Sequence, residues 1–431
     1  MQIPKKINSE NLTFTFAWLM VFGMPWSNAL FHLGLYGFIC CFFLSGKWNE
    51  KLTQAFGSKI FLSSTALTFI TIISLGYTIA PLDLALIDVA RYCKLLMVGI
   101  LMFVFDSERK RLSILFAIAA GITTLMLPTI LDGTGVAAYL NLPLKQFANQ
   151  GYTTDYSGKG LANLVYWRNH IAHGFFVSLL FFICLCSAIE WKRYRIWFAG
   201  LALISLVDIV FFIYGRMALL SLAASLIFFS FIQLRSFRWR AVGLGGILVL
   251  FFISYFSINA VRQRVDSVFS ETQAYSEKSD ASTSAGHRLH YWKISLQMFN
   301  HSKFLGEGAG SFRRTLEITQ DQFLNENHSH THNEYLTALS QYGLLGFGAI
   351  LYIFFLAFND AQNIENPMER KCYAAIIFIF SLNCLTDSML YNQDEGWTLV
   401  FVLALIAAAI HEKTAKCSSA KNSLLLEPRP N

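Results

Sequence analysis

Three histidines alternate with small polar residues in segment 328–333, HSHTHN. In an extended strand His328, His330 and His332 point to the same side and could hold zinc, although no fourth ligand follows at a zinc-like spacing. A polar loop without a chemical role is the second interpretation. The third is a single general base, His332, because Asn333 is a good N-cap for the apolar helix that follows. The positive end of that helix disfavours an imidazolium and keeps the base neutral.

Two arginines are candidates for binding an anion. Arg216 lies in FFIYGRMALLSLA (211–223), where two apolar segments meet with almost no polar linker. A snorkelling anchor is its simplest explanation, and a phosphate ligand is the alternative, because a guanidinium matches phosphate bidentately. Arg288 precedes Trp292 by four residues, so the two share a helix face, although a solvated surface arginine is the simplest explanation there. Together the arginines and a base suit a lipid diphosphate, whose charge the arginines would stabilise as it leaves.

The composition indicates a membrane protein. Of the 431 residues 55% are hydrophobic and 14% charged, and the mean hydropathy is +0.46, whereas a soluble domain carries roughly 25% charged residues. The first residues run into an apolar hairpin without a small-residue cleavage site, so no cleaved signal peptide is predicted. The cysteines fall in apolar segments or in the tail, so no disulfide framework is expected.

Apolar runs of about 17–25 residues predict twelve membrane spans. They cover residues 12–28, 29–45, 60–80, 84–105, 112–131, 169–189, 196–214, 216–234, 241–258, 334–357, 372–388 and 396–411. Twelve spans place both termini on one side. The basic residues then share this side, which the positive-inside rule makes cytoplasmic; they lie in 46–51, 106–111, 190–195, 235–240, 368–371 and 411–416. We therefore predict an all-α polytopic membrane protein with about twelve transmembrane helices.

The polar segments divide the chain into four parts. These are spans one to nine with an outer segment at 132–168 (1–258), a large outer loop (259–333), spans ten to twelve (334–412) and a cytoplasmic tail (413–431). Within the outer loop, 271–286 is rich in small polar residues and predicts a mobile loop. Residues 287–304 have helical periodicity, and 304–314 carry three alternate glycines, which indicate turns.

Charged residues also occur close to the outer face. Asp88 and Arg91 are three residues apart in the fourth span, so we favour a structural ion pair with a snorkelling Lys94 over a wall of an anionic site. Further polar residues stand at the outer mouth of the sixth span: Arg168, His170 and His173.

Several motifs resemble those of bacterial O-antigen ligases. His332-Asn333, nine residues and then Gly343-Leu-Leu-Gly346 resemble the family's His-[Asn/Ser/Gln]-x9-Gly-x-x-Gly signature. Gly215-Arg216 resembles its arginine at the head of a membrane helix. Arg288 with Trp292, followed by the alternate glycines, resembles its large periplasmic loop. The resemblance covers the whole chain in topology, and its motifs are specific for the superfamily of O-antigen ligases, O-antigen polymerases and protein O-oligosaccharyltransferases.

The resemblance implies a GT-C-like glycosyltransferase with a periplasmic active site in the bacterial inner membrane. Such an enzyme passes O-antigen from undecaprenyl diphosphate to lipid A-core, inverts the anomeric centre and needs neither metal nor other cofactor; a nucleic-acid partner is not implied. His332 would be the base, and Arg216 and Arg288 the pyrophosphate ligands. Residues with secondary roles in substrate contact would be His330, His328, Trp292, Arg168, His170, Arg91 and Lys94.

Other activities stay open at this point. A polymerase or a protein O-oligosaccharyltransferase would use the same donor. About twenty residues follow the last span, too few for the soluble domain that the latter tend to carry. A single dominant outer loop also favours the ligase. A transporter would need polar residues near the middle of the membrane, and Asp208 and Asp387 are the few candidates for that position.

Overall fold

The computed structural model describes residues 9–46, 48–142, 168–213, 215–233, 236–321 and 330–426. Within these ranges the regular structure is helical, without strands. The first nine α-helices are α1 (Ser9–Gly23), α2 (Asn28–Leu44), α3 (Trp48–Ala55), α4 (Lys59–Ile73), α5 (Leu82–Cys93), α6 (Met97–Leu101), α7 (Glu108–Gly133), α8 (Val136–Tyr139) and α9 (His170–Glu190). The others are α10 (Arg195–Val207), α11 (Arg216–Gln233), α12 (Phe237–Ser257), α13 (Asn259–Lys278), α14 (Ser284–His301), α15 (Ser311–Ile318), α16 (Glu334–Gln362), α17 (Pro367–Asn383) and α18 (Gln393–Leu426).

The structure is that of a polytopic membrane protein. In the part of the chain that the structure describes, seven helical segments are long and apolar enough to cross a bilayer: Lys59–Gly76, Glu108–Gly133, His170–Glu190, Lys192–Phe212, Phe237–Ser257, Glu334–Gln362 and Gln393–Ser418. Two shorter apolar helices are Asn28–Leu44 and Arg216–Phe231. The central helix α9 packs against α7, α10, α11 and α17 and buries most of its side chains. Helix α12 buries none of its side chains fully and packs against α11 and α13.

Ion pairs gather several of the basic junctions at one end of the bundle. Arg111 at the start of α7 lies 2.8 Å from Glu369 and 2.8 Å from Glu412. Lys371 pairs with Glu190. Four of the predicted cytoplasmic junctions therefore meet at the same end, and the face of the membrane that this end occupies stays a prediction.

The large outer segment is more helical than its composition indicates. The prediction of a mobile loop over 271–286 is wrong for most of this stretch, because α13 continues to Lys278 and α14 begins at Ser284. The predicted helix over 287–304 corresponds to α14, which buries Tyr291 and Met298 against Phe312 of α15.

Glycines join this outer segment to α16. Gly306, Gly308 and Gly310 have φ of 70°, 90° and 75°, as expected for turns. Gly343 breaks α16 with φ 62° and ψ −158°, a combination that is almost exclusive to glycine. The break turns the carbonyls of Ser340 and Gln341 outward, where they accept from the amides of Glu307 (3.0 Å) and Gly308 (2.8 Å).

We expect Gly343→Ala to lower the free energy of unfolding by about 2–4 kcal/mol, because a Cβ there would overlap the Phe304 carbonyl in addition to the backbone strain. Gly348→Ala on the same helix is the matched control, since a Cβ at Gly348 meets open space. Thermal unfolding of the purified proteins measures both, and equal stability of the two variants would contradict the role of the break.

Candidate active site

A hydrogen-bonded histidine and aspartate lie where α16 begins. His332 Nδ1 is 3.1 Å from Oδ1 of Asp387, which lies in the turn between the end of α17 and α18. Burial raises the pKa of Asp387, but the hydrogen bond with His332 and the positive charges around it lower it more, so the pKa lies well below its ordinary value. The carboxylate is therefore an ionised acceptor, which assigns the proton to Nδ1 and leaves Nε2 as the basic nitrogen of His332.

Two further donors hold the Asp387 carboxylate. The amide of Ser388 donates to Oδ1 (2.9 Å), and the side-chain amide of Asn392 donates to Oδ2 (3.2 Å). Sequence reasoning considered Asp387 only as a possible transporter residue and missed its contact with His332. The available signal was an acidic residue directly beyond an apolar helix, which says nothing of its partner.

The motif His-Asn has a local structural explanation. The side chain of Asn333 caps α16 by accepting from the backbone amide of Leu336 (3.0 Å), and its Nδ2 donates to the Leu385 carbonyl (2.8 Å). His332 adopts a left-handed backbone with φ 51°, which is rare outside glycine and typical of residues that the surrounding structure holds in place. Its amide donates to His330 Nδ1 (3.4 Å), and the two imidazole rings lie 4.5 Å apart.

Glu334 connects this segment to two other elements. Its buried carboxylate accepts from the hydroxyl of Tyr92 on α5 (2.8 Å) and from the amides of Leu390 (2.9 Å) and Tyr391 (3.3 Å). The turn that carries Asp387 is thereby fixed against the start of α16. Sequence reasoning did not single out Glu334.

The predicted anion-binding arginines lie on separate helices. Arg216 is the first residue of α11 and forms an ion pair with Glu271 of α13 at 3.0 Å. It also donates to Ser267 at 3.3 Å. The expectation that little else polar lies beside Arg216 is therefore wrong, because α13 folds over it. Arg288 lies on the second turn of α14 and is half-buried.

Electrostatic interactions show that these residues share one region. Burial lowers the pKa of Arg288; the charges of Asp387 and Glu271 oppose this shift, and that of Arg216 adds to it. His170, at the start of α9, interacts with Arg288, Arg216 and Asp387. Both predicted arginines, His170 and Asp387, the partner of the predicted base, therefore lie within electrostatic range of one another.

Other predicted residues have structural contacts. Arg168 is buried, pairs with Asp394 at 2.9 Å and donates to the Met24 carbonyl (2.9 Å) and to Asn28 (2.8 Å). The snorkelling prediction for Lys94 is wrong, because this side chain is buried and donates to the Asn392 carbonyl.

The predicted pair of Asp88 and Arg91 is also wrong. Asp88 accepts instead from the hydroxyl of Tyr391 (2.9 Å) and the amide of Gly310 (2.9 Å). The Arg91 guanidinium lies 5.2 Å from the centroid of the Tyr391 ring.

Three predicted residues complete this account. Trp292 is half-buried one turn after Arg288 on α14. His173 pairs with Asp208 at 3.0 Å, and both side chains are fully buried. His328 lies outside the described residues.

One group of side chains has donor atoms that could hold a metal ion. The ligand atoms of His330, His332 and Asp387 lie within 4.8 Å of one another. Two imidazoles and a carboxylate form a set that suits zinc. Chelation of the purified protein with EDTA therefore tests the expectation of a metal-independent reaction directly.

The fold and this site define a polytopic helical membrane protein with a histidine–aspartate pair beside two arginines. A family model described as O-Antigen ligase matches residues 201–351, which include Arg216, Arg288 and His332. The matched region is about a third of the 431-residue chain, and in this region the chain is similar to the O-antigen ligase model. None of the curated proteins matches the chain.

We expect Asp387→Asn to lower the rate of a reaction in which His332 is the general base about 100-fold or more, because an amide in this position no longer fixes the proton on Nδ1 of His332. Asp321→Asn is the matched control, since Asp321 forms another histidine–aspartate pair, with His290 (2.6 Å). Reaction rates of the purified proteins, measured with the assay described under the proposed function, test this, and equal losses in both variants would contradict the specific role of Asp387.

The same carboxylate has a defined pH dependence. A depressed pKa makes its stabilising contribution complete above the unfolded value of about 4, and the contribution is lost only as the pH falls towards the folded-state value. The stability difference between wild type and Asp387→Asn should therefore stay constant over roughly pH 8–9, above the range near pH 6.5 in which imidazoles ordinarily titrate. Thermal unfolding measured across this range checks the expectation, and a steep dependence there would contradict the ionised state of Asp387.

Proposed function

We propose that the protein is an O-antigen ligase that transfers O-antigen polysaccharide from undecaprenyl diphosphate to lipid A-core. The observation that carries the proposal is the pairing of His332 with Asp387 in the same electrostatic region as Arg216 and Arg288. A base and two guanidinium groups are the functions that glycosyl transfer from a lipid diphosphate requires.

In the proposed reaction, Nε2 of His332 removes the proton from an acceptor hydroxyl of lipid A-core. The acceptor oxygen forms a bond to the anomeric carbon of the donor as the bond to the diphosphate oxygen breaks, and attack from the opposite face inverts that centre. Asp387 stabilises the imidazolium that forms. Undecaprenyl diphosphate leaves with the electron pair, and its charge is stabilised by Arg216 and Arg288.

We propose twelve spans in a GT-C-like bundle of the inner membrane. They are α1, α2, α4, α5 with α6, α7, α9, α10, α11, α12, α16, α17 and α18. This arrangement places the ion-paired junctions around Arg111 in the cytoplasm with both termini, and the site with α13–α15 in the periplasm. The positive-inside rule and the clustering of the basic junctions at one end support this orientation.

The alternatives differ in acceptor or in class. A polymerase or a protein O-oligosaccharyltransferase would use the same base and arginines on another acceptor. A transporter has less support, because Asp208 is paired with His173 and Asp387 with His332.

We expect the wild-type protein to produce a ladder of capped lipopolysaccharide in cells that make undecaprenyl-linked O-antigen but lack a ligase, and His332→Ala to abolish the ladder. Gel electrophoresis of the lipopolysaccharide is the measurement. His301→Ala is the matched control, because the side chain of His301 is 84% exposed and pairs with Glu307, which has no part in the proposed reaction.

Three outcomes would count against the proposal. Normal capping by His332→Ala contradicts the base assignment. Longer glycan chains on undecaprenyl diphosphate without capping favour the polymerase. Absence of capping by purified protein given its native core contradicts the ligase.

We expect EDTA to leave the transfer rate of the purified enzyme unchanged, because the proposed base and arginines provide the chemistry without a metal. Rates measured before and after chelation test this expectation. Loss of activity that zinc restores would instead assign a metal to His330, His332 and Asp387.

A further inference from the structure

Glu271 is the carboxylate that contacts Arg216. Its Oε2 accepts from Arg216 at 3.0 Å and from the amide of Ala285, in the first turn of α14, at 2.9 Å. Arg288 follows Ala285 by one turn, and the negative charge of Glu271 raises the pKa of Arg288 against the effect of burial. One carboxylate oxygen therefore lies between Arg216 and the helix that carries Arg288, where an anionic ligand of both arginines would place its oxygens.

The position of Glu271 is fixed by the face of α13 that carries it. Arg264, Ser267 and Glu271 follow at intervals of three and four residues and share this face. Arg264 is buried and donates to the carbonyls of Ile209 (3.0 Å) and Val210 (3.2 Å), where α10 ends in a short π-helix. This contact docks α13 on the turn before α11, so that Glu271 meets Arg216.

Arg216 needs a counter-anion in this place. A cation at the first position of a helix lies at the positive end of the helix dipole, which disfavours it. The negative charge of Glu271 offsets the charge of Arg216 and the positive end of the helix dipole. The side chains of Arg216 and Glu271 are each only 19% exposed. A ligand that displaces Glu271 must therefore offer more negative charge than one carboxylate. A diphosphate carries a second negative charge that a monophosphate in the same linkage lacks.

We propose that Glu271 is the internal counter-anion of Arg216, that the diphosphate of the donor must displace it, and that it thereby sets the preference of the site for diphosphate over monophosphate. The identity of the anion rests on the proposed function. The contacts of Glu271 with Arg216 and Ala285 carry the displacement step.

The test compares the methyl esters of undecaprenyl diphosphate and undecaprenyl phosphate, whose terminal phosphates are diesters as in the donor, so that the two probes differ by one negative charge. They are titrated into the purified full-length protein in detergent, and binding is followed by tryptophan fluorescence. Wild type should favour the diphosphate. Glu271→Gln should bind the monophosphate about three- to tenfold more tightly than wild type does, and its affinity for the diphosphate should rise less. The reason is that glutamine removes the competing negative charge but keeps the shape of the side chain. Arg216→Lys should lose the diphosphate preference, since Lys cannot bind it bidentately.

Glu277→Gln is the matched control, because Glu277 lies on the same helix, is exposed and bonds only locally to Gln273 (2.7 Å). The proposal is overturned if Glu277→Gln gains as much affinity for the monophosphate as Glu271→Gln does, or if Glu271→Gln gains none. If Glu271→Gln does not fold, Glu271→Asp replaces it: its shorter arm weakens the contact with Arg216 and should give a smaller gain, and tighter binding of neither ligand overturns the proposal.

Binding in this assay needs neither sugar nor acceptor, so it separates the two proposals. A shift in preference without any glycan transfer overturns the ligase and supports the role of Glu271. Transfer without a shift overturns the role of Glu271 alone.

Discussion

Glu334 brings a carboxylate into the interior of the bundle, and the arrangement of the candidate site depends on its hydrogen bonds. A buried carboxylate is costly unless its oxygens are bonded, so Tyr92 and the amides of Leu390 and Tyr391 must stay in place. This requirement holds the turn between α17 and α18 against the start of α16. His332 lies two residues before Glu334 and its partner Asp387 lies in that turn. The base and its partner are thus positioned by a carboxylate that binds backbone amides of the turn.

The features that could be predicted from the sequence are those that local chemistry determines. Asn333 is a good N-cap wherever a helix follows it, and it caps α16. The alternate glycines of 304–314 predict turns, and all have positive φ. Apolar runs predict helices because the bilayer requires them, and the run 169–189 corresponds to His170–Glu190 within one residue. The predicted span 84–105 is interrupted at Lys94–Leu96, where a 3-10 turn separates α5 from α6.

The features that could not be predicted depend on partners distant in the chain. Asp387 lies 55 residues from His332, and Glu271 lies 55 residues from Arg216, so no local pattern connects them. Polar composition predicts a loop over 271–286, yet α13, which Arg264 docks on the π-helix that follows α10, continues to Lys278. Lys94 has the side chain of a snorkelling residue, but an acceptor within the bundle, the Asn392 carbonyl, makes its burial possible.

The left-handed backbone of His332 has a consequence for how the protein can change. A non-glycine residue in this conformation costs about 1 kcal/mol or more, which glycine would not incur. Under the proposed function, greater stability and catalytic competence therefore exclude each other at this position. Selection for a more robust fold alone would replace the imidazole, and selection for the proposed reaction would retain it.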